Sequence, residues 1–133
     1  MRITFGTVFL IASALFTAWT SWTGFTAPGT FGKQVGYELV GMDGRNEMRA
    51  QYGGFFLAVT IASVLALAGV IPRQAALLVN AVVFGGLIGG RIVSLAVDSG
   101  MSGFGPVIRV LYFIDATGFI LSLTSLYYER RAP

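Results

Sequence analysis

Hydrophobic and polar positions sort into four long apolar runs, parted by two narrow polar breaks and one wide one. The runs are residues 3–22 (ITFGTVFLIASALFTAWTSW), 51–71 (QYGGFFLAVTIASVLALAGVI), 75–97 (AALLVNAVVFGGLIGGRIVSLAV) and 106–128 (PVIRVLYFIDATGFILSLTSLYY). A helix needs about 20 mostly apolar residues to cross the hydrocarbon of a bilayer, and each run has that length. The expected fold is all-α: an integral membrane four-helix transmembrane bundle, one domain over residues 1–133, with a longer loop at 23–50. Pro72 and Arg73 stop the second run, and Glu129, Arg130 and Arg131 stop the fourth. Trp19 and Trp22 mark the far end of the first as interfacial, because aromatic rings favour the headgroup level.

Arg2 before the first run and the small residues of GFTAP also fit a cleaved leader. The apolar stretch exceeds the usual 7–15 residues of a leader, so retention as a span is expected. Segment 23–50 alternates Phe, Val, Tyr and Leu with Gly and carries much of the charge. Loops this long tend to be functional or disordered. The alternation predicts an ordered cap, a short hairpin or a re-entrant turn on one face of the bundle.

Small and polar residues recur at helical spacing inside the runs: Gly6, Ser13, Thr17 and Thr20; Gly53, Thr60 and Ser63; Asp115, Gly118, Ser122 and Ser125. Membrane helices associate through close approach at small residues and through interhelical hydrogen bonds, so these stripes are the expected contact faces. The third run has two faces. Gly85 with Gly89 and Gly86 with Gly90 form overlapping GxxxG pairs, expected to pack within the chain, or against an oligomer partner if they face lipid. Asn80, Arg91 and Asp98 fall together on roughly the opposite side.

Arg91 and Asp115 are the charges that a bilayer interior should not hold. Each costs about 2.5–3.5 kcal/mol near the membrane centre on insertion scales. From the end of the third run and the start of the fourth, the two lie roughly 10 and 13 Å deep at 1.5 Å per residue. An Arg91–Asp115 pair between antiparallel neighbours is therefore expected, with the planar guanidinium gripping the carboxylate. Glu47, Arg49, Asp98 and Arg109 cluster at the same mouth, and together they outline an expected polar pocket opening toward the long loop. Such a set serves equally as a register-fixing ion-pair network, as an anchor for an anionic or amphipathic molecule, or as proton-linked chemistry through Asp115.

Composition narrows the chemistry. Hydrophobic residues make up 55% of the 133 and charged residues 11%, and there is neither Cys nor His. Disulfides, zinc sites, haem ligation and Ser/His or Cys/His catalysis are thereby excluded. GTFGK at 29–33 lacks the spacing of a phosphate loop, and the basic residues are too scattered for a nucleic-acid face despite a pI near 9.7. Tyr52, Tyr112, Tyr127 and Tyr128 read as interfacial or packing residues. No cofactor is called for, although a bound lipid or other lipophilic molecule is compatible with the chain.

With four spans the termini share a side, which carries Arg2, Arg73, Arg130 and Arg131 against Glu129 alone. The other side carries Lys33, Arg45, Arg49, Arg91 and Arg109 among Glu38, Asp43, Glu47 and Asp98. Discounting Arg91, Arg49 and Arg109 as buried or paired, the positive-inside rule puts both termini in the cytoplasm.

NEMRAQYGG at 46–54, GRIVSLAVDSG at 90–100 and an acid in the first half of the last span together resemble an uncharacterised bacterial family of small four-helix integral membrane proteins, known only as a domain of unknown function. The resemblance covers nearly the whole chain. It rests on Asn46, Arg49, Tyr52, Gly53, Gly54, Gly90, Arg91, Ser94, Asp98, Gly100 and Asp115. It implies a four-span protein of the bacterial inner membrane and lends no activity.

Three function classes follow: a non-catalytic accessory or assembly subunit packed against a larger membrane complex or against itself, a binding protein or carrier for a lipophilic or anionic molecule, and a lipid-acting enzyme. Small size, few catalytic residue types and abundant lipid-facing Phe and Leu favour the first.

Overall fold

The computed structural model describes residues 4–98 and 100–131; Arg2, Ile3 and Ser99, which enter the sequence reading, lie outside the described residues. The described residues form helices and turns with no strand. Helix α1 spans Phe5–Thr26, and two short helices follow, α2 over Pro28–Gln34 and α3 over Gly41–Met48. A π-helical segment, Arg49–Gly54, joins α3 without a break to α4, Phe55–Leu67. Helix α5 spans Arg73–Val97, a 3-10 turn occupies Met101–Gly103, and α6 spans Pro106–Arg131. Four helical stretches, Phe5–Thr26, Gly41–Leu67, Arg73–Val97 and Pro106–Arg131, are long and apolar enough to cross a membrane.

Local chemistry explains the boundaries. Thr4 caps α1 reciprocally with Thr7: each side-chain oxygen accepts from the other residue's backbone N–H, at 3.2 and 3.3 Å. Pro28 opens α2 at the first helical position, where its missing N–H costs nothing. At the end of α4, Gly69 takes a positive φ of 75°, its N–H donates to Ala66 O, and Val70 N–H donates to Leu65 O. That pairing satisfies the last carbonyls of the helix and turns the chain sharply into Pro72 and α5.

The wide break differs from the hairpin or re-entrant turn that its alternation predicts. It folds as two short helices, with α3 extending the second span outward beyond its apolar part. Despite two glycines, an Asp and an Asn, GMDGRNEM runs as helix directly into the span that follows, and Gly36 and Gly41, with φ of 86° and 62°, supply the bends at its entry. Apolar alternation here therefore does not report a strand.

The bundle closes as a ring in which α1 packs on α4 and α6, and α5 packs on α6 and α4. Two kinds of contact hold it. One is close approach at glycine. A Cβ on Gly24 would stand 2.7 Å from the Gly53 nitrogen, so α1 and the π segment meet backbone to backbone. Between α5 and α6 the packing is reciprocal: the Phe84 ring lies over Gly118, and the Phe119 ring over Gly85.

The other is a polar ladder along α1. Ser21 Oγ donates to Gly53 O at 2.8 Å, and the Thr17 and Thr60 hydroxyls share a hydrogen bond of 2.8 Å. Ser13 Oγ donates to Asn80 Oδ1, while Asn80 Nδ2 donates to Ser63 Oγ at 3.2 Å and to Ala76 O at 2.8 Å. Asn80 is fully buried and joins α1, α4 and α5 at once. At the termini end, Glu129 accepts from Thr4 Oγ1 at 2.8 Å and pairs with Arg73 at 3.6 Å, and Gln74 Nε2 donates to its backbone carbonyl.

This packing can be tested at its tightest points. Gly24→Ala drives a methyl into unyielding backbone and should cost about 1–3 kcal/mol in detergent unfolding. Gly89→Ala, with nothing within 4 Å of the added carbon, should leave the unfolding midpoint unchanged or raise it, since Ala favours a helix interior over Gly; a loss equal to that at Gly24 would reject the close approach. Asn80→Ala strands the Ser13 and Ser63 hydroxyls together and should cost about 1–2 kcal/mol, read by the same assay.

Candidate functional site

Residues 112 and 115 lie three apart on α6 and so share a face, and that face meets the last two turns of α5. There Arg91 Nε donates to Asp115 Oδ2 at 2.5 Å. The Asp115 side chain is 3% exposed and that of Arg91 20%, so the carboxylate is sealed while the guanidinium reaches an opening. Tyr112 holds Arg91 a second way: its hydroxyl donates to Arg91 O at 2.7 Å, and its ring centroid lies 5.5 Å from the guanidinium carbon. Phe104 stacks on Tyr112 at 5.8 Å and steadies that ring.

The pairing is one-point rather than the two-point grip that guanidinium geometry allows. Nε alone meets the carboxylate, and among the described residues no acceptor takes the Nη groups. Four of the five N–H donors of Arg91 are therefore left for something else. They belong to a cleft of about 480 Å³ in which Arg91 is the one charged lining residue; the rest of the wall includes Tyr37, Tyr52, Leu87, Ser94, Phe104 and Tyr112. This volume lies within the range of roughly 300–1,000 Å³ usual for small-ligand sites.

The mouth of the cleft is aromatic, and the π segment accounts for it. A π turn carries an extra residue, so it shifts the side chains before it around the helix axis relative to those after it. Gly53 is thereby kept against α1 while Tyr52 lines the cleft shared with α5. The Tyr52 ring lies 5.2 Å from Phe31, 6.3 Å from Tyr37 and 6.0 Å from Phe56, tying the α2 cap to the second span.

The other expected pocket residues do not converge on Arg91. Exposed Arg49 donates from Nε to Phe25 O at 3.2 Å, and exposed Arg109 from Nη2 to Ser102 O at 3.3 Å. Asp98 accepts from Ser94 Oγ at 2.6 Å, and Glu47 accepts from Gln51 Nε2 at 3.3 Å in a neighbouring hollow that it lines with Tyr37 and Tyr52. At the rim, the two arginines find backbone carbonyls and the two acids find a hydroxyl and an amide on their own helices, so nothing forces these exposed side chains together. Asn80 shares the Arg91 face of α5 but lies deeper, inside the α1 ladder. Of the GxxxG glycines, Gly85 packs under Phe119, whereas a Cβ added at Gly86, Gly89 or Gly90 would meet nothing within 4 Å. Gly86 and Gly90 instead line the cleft.

Sequence reasoning assigns Tyr52 and Tyr112 to packing or the interface and passes over Tyr37 and Phe104. One signal is available for Tyr112, its three-residue spacing from Asp115. Tyr37 and Phe104 sit in connecting segments whose path no periodicity encodes.

Comparison with the curated proteins and with the solved structures gives no match. A family match covers residues 5–125, which takes in the first three spans, most of the fourth, the π segment and both members of the Arg91–Asp115 pair. On that match the chain, a membrane-spanning helical protein, belongs to the family described as Domain of unknown function (DUF4345).

Proposed function

We propose that this protein is a non-catalytic membrane binding protein or carrier for an amphipathic molecule, whose anionic head is received by Arg91. The observation that carries this reading is a guanidinium held by Asp115 and Tyr112, with its outer donors open to an aromatic cleft that contains no other charge. Arg suits the task because its planar fork matches carboxylate and phosphate oxygens, and it stays protonated wherever it is placed. Asp115 acts as a positioning residue that fixes the plane of the fork. In this reading the protein lies in a bacterial inner membrane with both termini in the cytoplasm.

A second reading, an accessory subunit of a larger membrane complex, is supported by the open glycines. Gly89 leaves a shallow place on α5 where another helix can approach closely. The two readings separate on extraction into a mild detergent followed by native mass spectrometry. A small particle carrying a bound amphiphile, which Arg91→Gln loses, is the expected result. A large stoichiometric assembly of other chains, with no retained small molecule, would replace the first reading by the second.

The ion pair has its own test. Arg91→Ala leaves a buried carboxylate without its partner and should destabilise by about 3 kcal/mol in detergent unfolding. Asp115→Ala should cost less, because the released guanidinium can turn into the cleft. The double variant should recover part of the loss, whereas strictly additive losses would reject the coupling.

A further inference from the structure

Beside the Arg91 cleft lies an apolar groove of about 410 Å³ lined by Ala50, Gln51, Tyr52, Phe55, Phe56 and Leu87. Tyr52 and Leu87 line both spaces, so the groove and the cleft adjoin there. The groove exists because the second and third spans part company. Helix α4 packs on α5, but the π segment that precedes it has no comparable contact with α5. The π segment is bound instead to α1, through Gly24, Gly53 and Ser21.

The inner end of the groove lies deeper than the charge in the cleft. Helix α5 runs outward from Arg73 toward Val97, so Leu87, one turn before Arg91, lies about 6 Å deeper at 1.5 Å per residue. The second span runs inward from the cap, so Phe55 and Phe56 lie deeper than Tyr52, while Ala50 and Gln51 carry the groove outward past it. The charge lies in one space alone, with Arg91 lining the cleft and no charged residue lining the groove. A leaflet lipid has its head outward and its chain toward the midplane, and the pair of spaces matches that sense.

From this continuity we infer that the ligand is a single-chain oxyanion lipid, a long-chain carboxylate or alkyl phosphate, which enters sideways from the bilayer and lays its chain in the Phe55–Phe56–Leu87 groove. The inference rests on the reading of Arg91 as the head-group anchor and adds the chain, its place and its route. Hydrocarbon gains little by moving from lipid into such a groove, since lipid tails are as apolar as Leu. Arg91 therefore supplies the retention, and the groove selects shape.

For that reason the test reads chain mobility rather than affinity. The full chain is placed in phosphatidylcholine nanodiscs with nitroxide-labelled hexadecanoate, the label set either next to the carboxylate or at mid-chain, and electron paramagnetic resonance reports the immobilised fraction. The expected result is immobilisation of both isomers by the wild type. Ala50→Trp and Phe55→Trp, at groove positions that do not line the Arg91 cleft, should each free the mid-chain label while the label near the head stays held. Two variants guard against one that misfolds, and size-exclusion behaviour checks both. Arg91→Gln should free both labels.

A mid-chain label that is mobile in the wild type while the head label is held would overturn the groove inference and leave the Arg91 reading standing; so would groove variants that free neither label. Equal immobilisation by wild type and Arg91→Gln would mean annular lipid only, and no immobilisation at all would mean no site; each overturns both. Unlabelled hexadecanoate and hexadecyl phosphate, added as competitors, tell which oxyanion head the fork prefers.

Discussion

Inside the hydrocarbon there is no water to answer a polar group, so each one in a span must be answered by the protein itself. Asn80 shows how far that constraint reaches. Its amide is satisfied by Ser13 from α1, by Ser63 from α4 and by its own helix at Ala76, and no arrangement of those helices lacking this meeting point would leave the three side chains paired. Thr17 with Thr60 and Ser21 with Gly53 extend the same logic outward along α1. Among the described residues, Ser125 Oγ is the one fully buried side-chain polar atom without a partner.

The ladder decides where the molecule opens. By binding α1 to the second span along its length, it commits the π segment to α1 and draws it away from α5. Helix α5 is committed to α6 by the interlock of Phe84 with Gly118 and Phe119 with Gly85, and by the Arg91–Asp115 pair. The two helix pairs meet at the level of Asn80 and at the turn after α4, then diverge toward the cap. The cleft and its apolar continuation are the space left by that divergence. At the opposite end, Glu129 draws α1, α5 and α6 together through Thr4, Arg73 and its own backbone.

Arg91 and Asp115 should be seen in that setting. A buried ion pair tends to return little net stability, because desolvation offsets the attraction. Its effect here is positional. Sealed Asp115 fixes one edge of the guanidinium, Tyr112 fixes the main chain beneath it, and the remaining donors are left facing an aromatic chamber. A pair serving register alone would be expected to bury both ends and saturate the fork, whereas one end here is left open.

Much of this was legible in the chain. The four runs foretold the spans because crossing a bilayer imposes a length that composition alone reveals. The stripes through Ser13, Thr17, Gly53, Ser63 and Gly118 foretold contact faces because helical spacing is a local property. Depth along antiparallel neighbours made an Arg91–Asp115 contact possible if the two faces met, and the structure brings them together. The helical cap over 28–48, the π turn at Tyr52, the one-point grip on Arg91 and the dispersal of Glu47, Arg49, Asp98 and Arg109 were not legible. Each of these depends on which backbone lies beside which, and on whether a rim charge finds a carbonyl, hydroxyl or amide nearer than its opposite charge. The sequence by itself determined how many times the chain crosses and which faces must be satisfied; only the tertiary structure decided where two satisfied helix pairs stop touching, because that gap is a property of the packing between them and of no single helix.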